Sequence, residues 1–403
     1  MASLLRPLRT QPIHRIPPSI RTYTSHHYLP KDIPIEEETL PYYNPKQYYP
    51  VNIGDIYQSR YQIIGKLGYG STSTSWVCRD LRFLKISTSI PKKDSHNREY
   101  KVYEHLANVV EKGSLHPGQS LIREVYDSFE LQNAAVSEGE GSSIHQCLLL
   151  QPMTMSLHDM LQLTSRPFDL PLLKMTIKRI LLALDFLHVE AGVVHTDLKP
   201  DNILLTLHDT SLLPSFAAAE STSPSPRKVS DPPRTIYKSR PFPPPKGRNK
   251  NYGLPTLCDF SEARIGTVQR DSGPFIQPTI YRAPEIWTLF EGEHLFGNDI
   301  FNPVTGHHDP FRHVARMVAV IGSPPPGEFV CRSETTAQCF DERGTWIASD
   351  EAPIPGDVSL ESLERRLTGT EKEVFLGFMS DMLKWMPEER STAGELLGHE
   401  FLR

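Results

Sequence analysis

A chain of 403 residues can hold two or three domains or one large bilobal fold. With 38% hydrophobic and 23% charged residues it lies near the globular average, which excludes a collagen, a coiled coil or a mainly disordered chain. No apolar run reaches the about 18 residues of a membrane span, and a net charge of −5 is too small to point to a nucleic-acid or membrane surface. Proline stands out at 36 residues and predicts long irregular segments. Five cysteines, Cys78, Cys147, Cys258, Cys331 and Cys339, are odd in number and widely spaced. They read as small buried hydrophobes in a reduced compartment.

The first 31 residues carry Arg6, Arg9, Arg15, Arg21 and Lys31 and no acid. That is the composition of a mitochondrial transit peptide, but Pro7, Pro12, Pro17 and Pro18 oppose the amphipathic helix such a signal needs, and a disordered basic arm is the equal alternative. The chain is therefore expected in the cytoplasm or nucleus, or in the mitochondrion. Residues 1–53 are expected to be a disordered or extended arm, with Glu36-Glu37-Glu38 and Tyr42, Tyr43, Tyr48 and Tyr49 leading onto the first lobe. Alternation over Tyr61–Leu67 predicts a strand that runs into Gly68-Tyr69-Gly70, and strands follow at Ser75–Asp80 and Phe83–Ile86. Val102, Tyr103, Leu106 and Val109 recur at helical spacing and predict a helix over Arg98–Val110. Residues 54–153 thus read as a small α+β lobe. Beyond Pro152 the period turns to 3.6, as in the stripe of Leu173, Ile177, Ile180, Leu181, Leu184 and Leu187, so residues 154–403 read as a larger, mainly helical lobe. Inside it, residues 206–255 hold ten prolines and eight Lys or Arg against three acids. This predicts a disordered spacer, with Ser223, Ser225 and Ser230 as phosphorylation or docking candidates beside the plainer reading of a solvated loop.

The chemistry is concentrated in His195-Thr196-Asp197-Leu198-Lys199-Pro200-Asp201-Asn202, which places a carboxylate, an ammonium and an amide on one loop. Asp197 could accept a hydroxyl proton, Lys199 neutralise a transferring phosphoryl group and Asn202 ligate a metal. Asp259, after the apolar strand Pro255–Cys258, offers a second carboxylate for the same ion. A lone Asp or Asn is usually a turn or cap residue, but eight consecutive positions in one pattern are not. In the first lobe, Gly68 and Gly70 would let backbone amides approach phosphates. Two such glycines alone equally mark a hairpin turn, and Lys85 followed by Glu99 is what adds weight to the phosphate reading.

In that loop, and in Lys66-Leu67-Gly68-Tyr69-Gly70, Cys258-Asp259-Phe260-Ser261-Glu262-Ala263-Arg264 and Tyr281-Arg282-Ala283-Pro284-Glu285, the chain resembles the eukaryotic-type protein kinases over residues 54–402. Within them it is most similar to the SR-protein kinases and their fungal relatives, with Thr196 where most kinases carry Arg and the 206–255 segment where that family carries a spacer. The resemblance implies a bilobal, protein-kinase-like α+β fold with a small antiparallel-sheet lobe bearing one helix and a larger helical lobe. It implies a serine/threonine protein kinase using ATP and Mg2+, with Asp197 as catalytic base and Lys199 on the γ-phosphate. Leu67, Gly68, Gly70, Lys85, Glu99, Gln151 and Met153 would face the nucleotide, Leu150 would be the gatekeeper, and Asn202 and Asp259 would hold magnesium. Arg390 would pair with Glu285. The implied partners are protein substrates, Arg/Ser-rich and splicing-factor-like, with no direct nucleic acid, no membrane and a monomeric chain. Glu291, Glu293, Asp299 and Asp309 are candidates for an acidic face that docks arginines, beside the plainer reading of ordinary solvation.

Departures from the pattern fall at Ser73 and Ser75 in the phosphate loop and at Ser261, which replaces the glycine after Asp259-Phe260. Phe83 stands where similar kinases place a small alanine against the adenine ring, and the hairpin from Arg79 to Arg82 before it is short. After Glu285 the chain passes at once to Ile286-Trp287-Thr288-Leu289-Phe290-Glu291, where similar kinases carry an intervening segment with most of a buried central helix. The expectation is a helical lobe lacking part of that helix. These departures keep a second class of function open, a catalytically impaired fold that acts as a scaffold. A small-molecule phosphotransferase, the third reading, is disfavoured by Arg282-Ala283-Pro284-Glu285.

Overall fold

The computed structural model describes residues 27–79, 82–89, 97–133, 144–164, 166–230, 234–244, 252–266, 286–297, 299–322, 326–330, 334–341 and 343–403. The basic stretch from Arg6 to Arg21, the Tyr281–Glu285 motif and Cys331 lie outside them. The chain forms two compact units: Met1–Met155 with Glu190–Val194 and Leu204–Gly266, and Ser156–Val189 with His195–Ile203 and Thr267–Arg403.

The first unit is built on a six-stranded antiparallel sheet of order β1-β2-β3-β4-β6-β5, from β1 (Ile56–Tyr57), β2 (Tyr61–Tyr69), β3 (Ser73–Cys78), β4 (Arg82–Ser87), β5 (Val125–Gln132) and β6 (Ile144–Leu150). Successive residues point to opposite faces of the sheet, and in β3, β4 and β6 both faces are largely buried. Tyr61, Ile63, Trp76, Cys78, Leu84, Ile86, Cys147 and Leu149 build one buried face with Val51 and Tyr57. The register pairs Phe83 with Val77 and Leu150, and Lys85 with Ser75 and Leu148, which places these residues on the opposite face. Helix α1 (Arg98–Glu111) starts at Asn97, whose side chain accepts from the amides of Glu99 and Tyr100, and it buries Glu99, Val102, Tyr103 and Leu106. Three short strands, β7 (Met153–Ser156), β9 (Ile203–Thr206) and β12 (Pro255–Leu257), form a small sheet of order β12-β9-β7, and β8 (Val193–Val194) pairs with β13 (Arg264–Ile265).

Within 206–255, the described residues 206–230, 234–244 and 252–255 correct the expectation of disorder. They contain helix α4 (Leu212–Thr222) and a hairpin of β10 (Arg227–Val229) and β11 (Thr235–Tyr237), and they belong to the first unit. The prolines do not prevent this, because Pro214 sits in the first turn of α4, where its missing N–H is not needed, and Pro226 precedes β10. Residues 27–53 are likewise held in place. The Glu37 carboxylate binds Lys66, on β2, and Arg234; Glu38 binds Lys228; and Glu36 accepts from Ser239.

The second unit is helical: α2 (Leu157–Thr164), α3 (Leu170–Asp185), α5 (Ile286–Glu291) and α6 (Pro310–Ile321), the short α7 (Gly327–Val330), α8 (Glu334–Cys339) and α9 (Leu360–Leu363), then α10 (Gly369–Met382) and α11 (Ala393–Leu397). Asp169 caps α3 through the amide of Leu172, and Leu173, Ile177, Ile180 and Leu181 are buried as the stripe predicts. Helix α5 spans six described residues. It nevertheless buries Trp287, Leu289 and Phe290, and Trp287 and Phe290 lie 6.0 and 5.1 Å from Phe375 of α10. An aromatic core that continues to Phe401 stands where the sequence predicts a lost spine. Gly394 lets α11 approach α3, since a Cβ there would lie 2.9 Å from the Asp185 carboxylate. The four described cysteines, Cys78, Cys147, Cys258 and Cys339, are buried thiols.

Candidate active site

Two groups of residues carry the predicted chemistry, one in each unit. In the first, Lys85 Nζ lies 2.7 Å from Glu99 Oε2 and 2.9 Å from Asp259 Oδ1. Burial lowers the Lys85 ammonium, but the two carboxylates outweigh it and hold its pKa above the ordinary lysine range. Burial raises the Glu99 carboxyl above its usual value in spite of Lys85. At Asp259 burial also acts upward, but the Lys85 charge and hydrogen bonds from Ser261 prevail and hold it well below the carboxylate range. Asp259 has φ 63°, a left-handed conformation costly for most residues and most tolerable for Asn or Asp. Ser261 takes no positive φ and donates its N–H to Asp259 Oδ1 at 3.4 Å. The glycine missing at this position is therefore not required by the conformation observed. Phe260 is fully buried edge-on to Tyr103 of α1, which ties Asp259 to the helix that carries Glu99.

Leu67 and Gly68 lie on β2, and Gly70 opens the turn to β3 with its N–H on the Ser73 carbonyl. A Cβ at Gly68 would meet nothing within 4 Å, so this hairpin leaves room for a group to approach its backbone. Tyr48 of the N-terminal segment donates its hydroxyl to the Gly70 carbonyl at 3.0 Å. Gln151 departs from its expected role. Its N–H donates to the Glu124 carbonyl at 2.8 Å and its own carbonyl accepts from Arg123 Nε at 3.0 Å, so both backbone groups already have partners. Met153 is buried at the start of β7.

In the second unit the loop His195–Ile203 folds around one carboxylate. Asp197 Oδ2 accepts from Lys199 Nζ and from Asn202 Nδ2, both at 2.8 Å, and the Asn202 amide also reaches the Asp197 carbonyl at 2.8 Å. Asp197 Oδ1 is buried and accepts no hydrogen bond among the described residues. Such an orphan is costly unless something outside the loop supplies a proton donor. Thr196 adopts φ 67°, a strained turn immediately before the carboxylate.

Two of the four acids expected on a docking face, Asp299 and Asp309, are engaged within the chain. Asp299 binds Arg316 at 2.7 Å, and Asp309 caps α6 through the amides of Phe311 and Arg312. Arg390 donates to the carbonyls of Lys384 and Trp385, while its expected partner Glu285 lies outside the described residues. Sequence reasoning also missed Phe242, stacked on Phe83, Phe216, which packs on Phe242, and Arg123, 5.8 Å from the Phe83 ring.

A protein kinase domain model matches residues 61–245. A serine/threonine protein kinase of Aspergillus fumigatus is 38% identical over 97% of this chain and 99% of its own. A serine/threonine-protein kinase SRPK of Physarum polycephalum is 26% identical over 91% of each. The crystal structure of a kinase domain, 20% identical, superimposes with a TM-score of 0.58 over 89% of this chain and all of that one, and so shares its fold.

Proposed function

The chain belongs to the serine/threonine protein kinases, and we propose that it moves the γ-phosphoryl group of ATP to hydroxyls of Arg/Ser-rich proteins. The observation that carries the chemistry is Asp197. One of its oxygens is fixed by Lys199 and Asn202, and the other is buried without a partner among the described residues, as a base awaiting a hydroxyl proton would be. Lys199 beside it would balance negative charge on the transferring group. Lys85, held by Glu99, is the cation for the remaining phosphates, and the room at Gly68 suits their approach to backbone amides. ATP bound with magnesium supplies the phosphoryl group and the metal's charge. The Asp259 carboxylate and the Asn202 Oδ1 are hard oxygen donors of the kind magnesium takes. The Arg/Ser preference draws on the likeness to the Physarum SRPK.

The test is phosphate incorporation by the full chain into an Arg/Ser-rich peptide, beside a peptide in which Lys replaces Arg. We expect transfer to the first at the higher rate, and a fall of about 10²–10⁴ on Asp197→Asn with melting unchanged. Equal rates on the two peptides would refute the substrate class. A second reading, a catalytically impaired scaffold, draws support from Phe83 and from the engaged backbone of Gln151. It requires no incorporation into either peptide.

A further inference from the structure

On the sheet face that carries Lys85, an aromatic cluster fills the space beside Phe83. Phe83 lies two residues before Lys85 on β4 and therefore on the same face. The Phe242 ring, from the insertion, stacks on it with centroids 5.6 Å apart and planes 8° from parallel, and both rings are 6% exposed. Phe216 of α4 closes on Phe242 at 5.4 Å and presses on Gly65, where even a Cβ would lie 2.9 Å from its ring. From the other side the Arg123 guanidinium stands 5.8 Å from the Phe83 ring while its Nε takes the Gln151 carbonyl. The aromatic wall and the backbone groups that a purine would use are thus both satisfied from within the chain.

The insertion is also well placed to hold Phe242 there. Arg240 donates its N–H to the Lys66 carbonyl on β2, and its side chain binds the buried Glu220 of α4 at 2.8 Å. Tyr237 lies on the opposite face, against Trp76 at 6.0 Å. Residues 237–242 therefore cross the β2 edge with one aromatic ring on each side of the sheet. Arg234, Lys228 and Ser239 anchor this crossing to Glu37, Glu38 and Glu36.

We propose that the insertion is an autoinhibitory clip whose Phe242 ring competes with the base of Mg2+–ATP for the Phe83 side of the sheet. The proposal rests on the reading of the first unit as the ATP site. Nucleotide binds only the population in which residues 237–242 have left this face, so the apparent affinity falls by the fraction open. Because Lys85, Glu99 and Asp259 are already assembled, displacing the ring is what remains to admit nucleotide.

The test is equilibrium binding of Mg2+–ATP to the full chain by titration calorimetry. Phe242→Ala should bind at least tenfold more tightly than the unmodified chain, and Phe216→Ala should shift in the same direction by less. In the unmodified chain, saturating Mg2+–ATP should speed amide hydrogen exchange at Tyr237–Phe242, a reading that needs no variant to fold. Equal affinities for the unmodified chain and both variants, or unchanged exchange in a nucleotide-bound chain, would overturn the clip. Absence of binding in all three chains would overturn it too. Phosphate incorporation by the unmodified chain reports separately on the kinase reading, which stands if transfer occurs with equal affinities and falls only if transfer is absent throughout.

Discussion

Glu37 is nearly fully buried, yet it carries two cations, Lys66 at 1% exposure and Arg234. Neutralising it would leave a buried ammonium with only Glu36, at 3.5 Å, to balance it. Breaking a buried pair from one side costs about 3–5 kcal/mol, so Glu37→Gln should lower the unfolding free energy measured by urea denaturation by an amount near the bottom of that range, because Glu36 remains. Glu99→Gln differs in kind. Lys85 keeps Asp259 at 2.9 Å, so the fold should hold while phosphate transfer falls, and the comparison of kcat with melting separates the two effects. Asp197, Lys199, Asn202, Lys85 and Asp259 were legible in the sequence because each belongs to a short pattern whose spacing is itself the signal. Phe242 and Arg123 were not. Their roles arise from a stacking partner and a carbonyl far along the chain, and no local pattern encodes either.

At the scale of elements, α4 and β2 meet through the missing side chain of Gly65. Gly65→Ala should force Phe216 off the strand and destabilise the unit by about 1–3 kcal/mol, as overpacking does. Adding Phe216→Ala should recover part of that loss, a coupling that a double-mutant cycle in urea would measure. The pairing of β4 with β6 holds a second lever. His145 is fully buried, its Nδ1 lies 2.9 Å from the Ser87 carbonyl, and burial holds its pKa below the ordinary histidine range. The unfolded chain takes a proton first, near pH 6.5, so stability is complete above that pH and is lost as the pH falls through the lower, folded value. Melting temperature should therefore drop from pH 7.5 to pH 5.5, and His145→Gln should flatten the drop in part, since burial also lowers His188 and His294. Strands β2, β3 and β4 and helices α1 and α3 followed from periodicity to within a few residues, whereas β1, β5 and β6 of the same sheet did not. The insertion did not, because proline content predicts disorder only where the prolines interrupt a ladder or a helix interior, and here Pro214 and Pro226 lie at element ends.

In the second unit as a whole, the six described residues of α5 bury Leu289 and two aromatic rings, Trp287 and Phe290. Trp287→Ala should cost about 3–5 kcal/mol, seen as an early transition in thermal melting, since Phe375 would lose one of its two ring partners on α5. The first unit has the opposite economy, because its sheet is completed by pieces from distant parts of the chain. Glu37 and Arg234 are 197 positions apart, and Glu36 and Ser239 are 203 apart. At a translation rate of about 5–20 residues per second, Glu37 leaves the ribosome roughly 10–40 s before its partner exists. During that interval Lys66 and the edge of β2 are uncovered, and the nascent sheet is open to chaperones and to wrong pairings. Slowing synthesis between residues 70 and 230 should lower the soluble yield, whereas co-expression of a holdase should restore it.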